Sequence, residues 1–175
     1  RIVKNPSAEL LAERQNLDGS IVLATMEGAR PLLVEIQALV NPTNFGYPKR
    51  TASGFDLNRL NLLVAVLEKR TKLKLADKDI YVNVVGGLKL NDPAADLAVA
   101  MAIASASAGR SLDEGAVVFG EIGLGGEVRS ATNWQARIKE AKKLGFTYAI
   151  APKVHKDKFI KGVSDMLQAL IDYLQ

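Results

Sequence analysis

The chain has 175 residues, no cysteine, 48% hydrophobic residues and only 6% aromatic ones. That length allows one well-buried domain with a largely aliphatic core, and the lack of cysteine excludes disulfides and thiolate metal sites within it. A formal charge of +4 fits a polyanionic partner and plain solubility equally well, so where the charges sit matters more than their sum.

Residues 1–18 read as a lead-in segment, with a short helical pattern in SAELLAERQ, and residues 19–175 as the domain itself. SIVLATMEGARPLLVEIQALV predicts two strands joined at MEGARP, an antiparallel hairpin. Asn41 to Phe55 (NPTNFGYPKRTASGF) breaks the pattern with Pro, Gly, Asn and Ser. It reads as a loop, long for a connection inside a compact domain. Asp56 caps a predicted helix in DLNRLNLLVAVLEKRTK, where Leu57, Leu60, Leu63, Val64 and Leu67 recur at helical spacing and the last turn is basic. DIYVNVVGG predicts a strand. Asn91 and Asp92 are good caps and Pro93 suits a first turn, so a helix crowded with small residues is expected from Pro93 to about Ser107.

Beyond it, AVVFGEIGL predicts a strand and GGEVRSA a short strand after a glycine turn. NWQARIKEAKKLGF predicts a helix running into Gly145, YAIAP a buried strand closed by Pro152, and VSDMLQALIDYL an amphipathic helix. The order ββ, α, β, α, ββ, α, β, α mixes antiparallel pairs with crossover helices. It predicts a single α/β (α+β) domain with a mixed sheet and packed helices. No apolar run reaches the roughly 20 residues of a membrane span, and RIVKNPSAEL has no signal-peptide core. The expected setting is the cytoplasm, with no membrane partner.

The long loop carries the main binding signal. Phe45, Tyr47 and Phe55 are interleaved with Lys49, Arg50 and Arg59. Cations neutralise phosphates and aromatic planes stack on single-stranded bases. The alternative is a solvated basic loop whose aromatics pack on the domain edge. Lys89 in GGLKL is a further candidate, or simply a strand-end lysine. Lys139, Lys142 and Lys143 are expected on the exposed face of their helix, supported by Glu140. Lys153, Lys156, Lys158 and the following FIK, and the lone His155 among them, are read as surface. There is no G-x-x-x-x-G-K-[ST] pattern, hence no P-loop.

Three segments taken together resemble a known family. ATMEGARPLLVEIQALVNPTNFGYPKRTASGFDLNRLNLLVAVLEKR, VGGLKLNDPAADLAVAMAIASA and GEIGLGGEVRSATNWQARIKEAKKLGF occur in this order. They are similar to the Lon-protease-like C-terminal domain of the RadA (Sms) family of bacterial DNA repair and recombination proteins. The resemblance implies a Lon proteolytic-domain-like fold of the ribosomal-protein-S5-domain-2 type. In Lon-type peptidases a serine at the start of the small-residue helix is the nucleophile, and a lysine on the helix after the GE…GEV hairpin is its base. Here DPAAD places Ala94 at the serine position, and the gap-free stretch through Gly120, Glu121, Gly126 and Val128 places Arg137 at the lysine position. Alanine has no nucleophilic atom and arginine does not deprotonate, so the resemblance implies no peptidase activity.

It also implies that Arg50 and Arg59 face DNA; with Lys49 and Lys89, read from the composition, they form the candidate DNA-binding set, the DNA taken as single-stranded because aromatic residues accompany them. Copies are expected to form a homo-oligomeric, hexameric ring, with recombination proteins as further partners. ATP, Mg and Zn are expected only in other, N-terminal domains of such a protein, with no cofactor or metal in this chain. Two alternatives stand beside this reading: a peptidase with displaced catalytic residues, and a pure ring-assembly module without DNA contact.

Overall fold

The computed structural model describes residues 5–44 and 46–175. Phe45, one of the loop aromatics, lies outside the described residues. The chain opens with a short helix α1 (Pro6–Leu10), capped by the Asn5 carboxamide. Strands β1 (Ser20–Glu27) and β2 (Arg30–Pro42) form the expected antiparallel hairpin, closed between Glu27 and Arg30. The region read as a loop contains a strand, β3 (Arg50–Ser53). Helix α2 (Leu57–Arg70) follows, its Asp56 cap accepting the Arg59 N–H at 2.9 Å. It buries Leu60, Leu63, Val64 and Leu67 of the predicted stripe, and Val66 besides, whereas Leu57 in the first turn is exposed.

Strand β4 (Lys78–Val84) leads to a 3₁₀ turn at Pro93–Ala95 and then to α3 (Asp96–Ala108). Every residue of α3 from Asp96 to Ser105 is buried, so its small side chains let neighbouring elements approach closely on all sides. The stretch predicted as one strand at AVVFGEIGL is two: β5 (Ala116–Val118) and β6 (Glu121–Ile122). Gly120, at φ 155°, redirects the chain between them. Strands β6 and β7 (Val128–Arg129) pair as a small separate hairpin. Helix α4 (Trp134–Lys143), strand β8 (Tyr148–Pro152), a further strand β9 (Ile160–Val163) and helix α5 (Met166–Tyr173) complete the order.

The main sheet has seven strands in the order β3-β4-β2-β1-β5-β8-β9. The two pairings of β2 are antiparallel, and the other four in the sheet are parallel. The fold is therefore the mixed-sheet α/β domain that the alternation of elements predicts. Residues Ser20 to Thr25 of β1 are buried without interruption, the pattern of a strand covered on both faces. The described part of the lead-in segment docks on the domain: the Ser7 hydroxyl donates to Glu140 at 2.8 Å and accepts the Leu33 N–H at 2.8 Å, linking α1 to α4 and β2.

Candidate functional site

Ala94 and Arg137, singled out in the sequence, meet at one buried carboxylate. Asp92 caps the 3₁₀ turn by accepting the Ala94 N–H at 3.0 Å. The same carboxylate accepts from both terminal nitrogens of Arg137, from the Thr25 hydroxyl at 2.9 Å and from the Met26 N–H at 3.2 Å. Arg137 also donates to the carbonyls of Thr132 at 2.9 Å and Ala24 at 3.0 Å. Its side chain is 0% exposed and that of Asp92 4%. The ring of Phe119 covers the guanidinium, whose central carbon lies 5.5 Å from the ring centroid. Ala94 is buried beside this network and offers only its methyl group.

Burial works to raise the pKa of the Asp92 carboxyl, but hydrogen bonds and charge from Arg137, with help from Ala94 and Thr25, hold it below the ordinary carboxylate range. The two groups form a matched ion pair. Among the described residues no buried side-chain polar atom lacks a hydrogen-bond partner. Arg137 came out of the sequence only as a residue unable to act as a base, and Asp92 only as a cap. The available signal was that Arg137 and Glu140 share a helical face with Ile138 and Ala141, and all four are buried.

A second buried carboxylate lies at the start of α3. Asp96 accepts from Arg59 Nε at 2.9 Å and Nη2, and from the Ile122 N–H at 3.0 Å. Arg59 Nη2 also donates to the Ile122 carbonyl at 2.9 Å. These hydrogen bonds hold the guanidinium more firmly protonated than usual, against a smaller opposing effect of burial. Further along the same helix, Arg70 Nε donates to the Leu124 carbonyl at 3.3 Å. Two arginines of α2 therefore pin the β6–β7 hairpin. Arg129 stands opposite Glu121 on that hairpin and pairs with Glu127 at 2.9 Å. Arg70 and Arg129 were not singled out from sequence.

The predicted DNA-facing residues do not form one patch. Lys49 is exposed at the start of β3, where its backbone N–H donates to Asp79 at 2.7 Å. Arg50 turns its guanidinium to the carbonyls of Lys78 and, at 3.0 Å, Leu75, closing the turn before β4. It is partly covered. Lys89 is exposed beyond the other end of the strand, next to the Leu90 N–H that donates to the Gly54 carbonyl at 2.8 Å. Arg59 is tied to Asp96. Tyr47, by contrast, is 88% exposed on the turn beside Lys49, while Phe55 packs against the core.

His155 departs from the surface reading. Its Nε2 accepts the Ala131 N–H at 2.9 Å, and its ring stacks on Trp134 with centroids 5.0 Å apart. Burial, then the nearby Arg137 charge, pushes its pKa down. Two clefts of 660 and 870 Å³ lie over β2–β4 around Gln37, Ser53 and Asn83, and none of the site side chains named above lines them. No group of carboxylates and histidines among the described residues is arranged to hold a metal ion.

Known proteins resemble most of the chain. Residues 59–155 match a family model described as subunit ChlI of Mg-chelatase. The DNA repair protein RadA of Rickettsia bellii is 49% identical over 152 residues, 86% of this chain and 34% of that protein. RadA of Halalkalibacterium halodurans is 51% identical over 151 residues, 86% of this chain and 33% of that protein. RadA of Bacillus subtilis is 47% identical over 176 residues, covering 96% of this chain and 38% of that protein. The chain spans about a third of the length of the curated relatives it matches. It belongs to the family of the ChlI subunit of Mg-chelatase, and over most of its length it is similar to a region of the DNA repair protein RadA.

Proposed function

We propose that this domain is a non-proteolytic scaffold that contacts DNA within a RadA-type repair protein. The observation that carries the reading is the state of Arg137, buried and bidentate on Asp92 at the position of a peptidase base. A dyad needs a hydroxyl to attack and an amine that can lose its proton near neutral pH. Ala94 supplies a methyl group, and an arginine paired with a buried carboxylate stays charged. The centre instead links β1, the 3₁₀ turn and α4 through one carboxylate, which is a scaffold's role.

The DNA part is supported by the exposed Tyr47 next to Lys49, a ring free to stack on a base beside a cation for its phosphate. Lys89 extends this edge, and Arg50 adds charge rather than free donors. Arg59 acts mainly through its hold on Asp96. In the whole protein, six copies would arrange such edges in a ring, where repetition turns modest single-copy contacts into firm binding. ATP hydrolysis, zinc binding and docking of recombination proteins would belong to that whole assembly, with the ATP, Mg and Zn sites in its other domains.

Intact-mass measurement after treatment with a serine-directed acylating probe tests the first half: no adduct is expected, and a stoichiometric serine adduct would establish the displaced-peptidase alternative. Fluorescence anisotropy with labelled single-stranded DNA tests the second. The Tyr47→Ala and Lys49→Gln/Lys89→Gln variants are expected to bind several-fold more weakly; unchanged affinity in both would overturn this edge as the contact, and no binding by the unaltered domain would favour a pure assembly module.

A further inference from the structure

Four lysines fall between Lys153 and Lys161, a stretch that sequence alone gives no reason to separate from ordinary surface. The structure holds its backbone tightly. The Lys153 N–H donates to the Val163 carbonyl at 3.1 Å, and the His155 N–H to the Pro152 carbonyl at 3.1 Å. The backbone of Lys153 crosses Gly162 so closely that a Cβ there would sit 2.7 Å from the Lys153 Cα. His155 is anchored to Ala131 and Trp134, and the Asp157 carboxylate accepts the Phe159 N–H at 2.8 Å.

The lysines between these anchors are left without acidic partners. Lys153, Lys156 and Lys158 are exposed, and among the described residues none has a carboxylate within ion-pair distance. The one acid inside the turn, Asp157, is engaged by Phe159 and lies 3.9 Å from the Lys142 Nζ of α4. Lys142 rests over the Phe159 ring and Lys161 over the Tyr148 ring, at 5.4 and 4.8 Å from the centroids. The turn, α4 and β9 thus bring five cations to this part of the surface, with Asp157 the one acid inside the turn. Such a cluster repels itself and attracts a polyanion.

We infer that the Lys153–Lys161 turn, with Lys142, is a second binding surface for a nucleic-acid phosphate backbone, on the opposite sheet edge from Lys49. Strands β3 and β9 are the two edges, separated by six strand-to-strand steps. At about 4.8 Å per step the edges lie roughly 29 Å apart, the length of about nine base pairs at 3.4 Å rise. One copy of the domain therefore touches a long nucleic acid at two places, or two nucleic acids at once. The choice of DNA as the polyanion rests on the function proposed above; the cation cluster stands independently of the Lys49 edge.

Four proteins decide the matter: wild type, Lys153→Gln/Lys156→Gln/Lys158→Gln, Lys49→Gln/Lys89→Gln, and all five substitutions together. Each is titrated into a labelled 20-nucleotide DNA by anisotropy across a salt series, with thermal unfolding recorded beside it. The turn variant is expected to melt as wild type does, to bind several-fold more weakly, and to have a salt slope shallower by about 2. A wild-type slope and affinity in the turn variant would overturn the inference. If the turn variant loses binding and the Lys49/Lys89 variant does not, the inference stands and the β3-edge reading falls. Loss confined to the Lys49/Lys89 variant overturns the inference and leaves the β3 edge standing. No salt-dependent binding by wild type overturns both.

Discussion

Two carboxylates decide how this domain uses its charges. Asp92 and Asp96 lie within one turn of each other, and each is buried against an arginine from another helix. Removing one partner of a buried pair strands a charge in a low-dielectric site, so Arg137→Ala is expected to cost about 3–5 kcal/mol in urea unfolding. The pH dependence has two windows. Burial and the Arg137 charge disfavour the imidazolium of His155, so the folded protein binds fewer protons there than the unfolded chain. That contribution is complete above about pH 6.5 and is lost as pH falls from there towards the depressed folded value. His155→Gln should flatten this part of a stability–pH curve measured by denaturant unfolding. Asp92 acts in a lower window: its contribution is present above about pH 3.9 and disappears as pH falls through its lowered value. Sequence made the side-chain chemistry of Ala94 and Arg137 legible, because it depends on atom types alone. It hid the ion pairs, since they join residues 45 and 37 positions apart.

At the scale of elements, strong periodicity and clear caps were readable and short edge strands were not. Helix α2 has five buried aliphatics in register and an Asp cap, and its predicted span matches the observed one closely. Strand β3 is only four residues long and sits among Pro, Gly and Ser, so turn chemistry masks it. Strand β9 contains a glycine and exposed lysine, which carry no alternating apolar signal. The break between β5 and β6 depends on Gly120, whose N–H donates to the Ala94 carbonyl at 2.8 Å and whose carbonyl accepts the Leu97 N–H at 2.9 Å. These bonds tie the hairpin to the start of α3. A Cβ at Gly120 would meet Val128 at 2.9 Å from a φ of 155°. Gly120→Ala is therefore expected to destabilise by about 1–3 kcal/mol in chemical denaturation. An unchanged midpoint would show that the turn relaxes without effect on α3.

Across the whole molecule, the sheet separates two roles. Its middle strands and α3 enclose the core and the two buried ion pairs, while its edges carry the exposed lysines at Lys49 and at Lys153–Lys161. A net charge of +4 conceals this arrangement, because Arg59, Arg137 and several surface cations are offset locally by acids. The candidate DNA edge was legible as a composition of cations and aromatics. Which of them remain free was not, since that depends on the carbonyls of Leu75 and Lys78 and on Asp96. The central claim is that the buried Asp92–Arg137 pair holds the fold together. A double-mutant cycle on stability, with Asp92→Asn, Arg137→Gln and the pair combined, tests it most directly. A coupling of about 2–3 kcal/mol is expected, with the double variant losing much less than the sum of the singles. Additive effects within about 0.5 kcal/mol would contradict the claim.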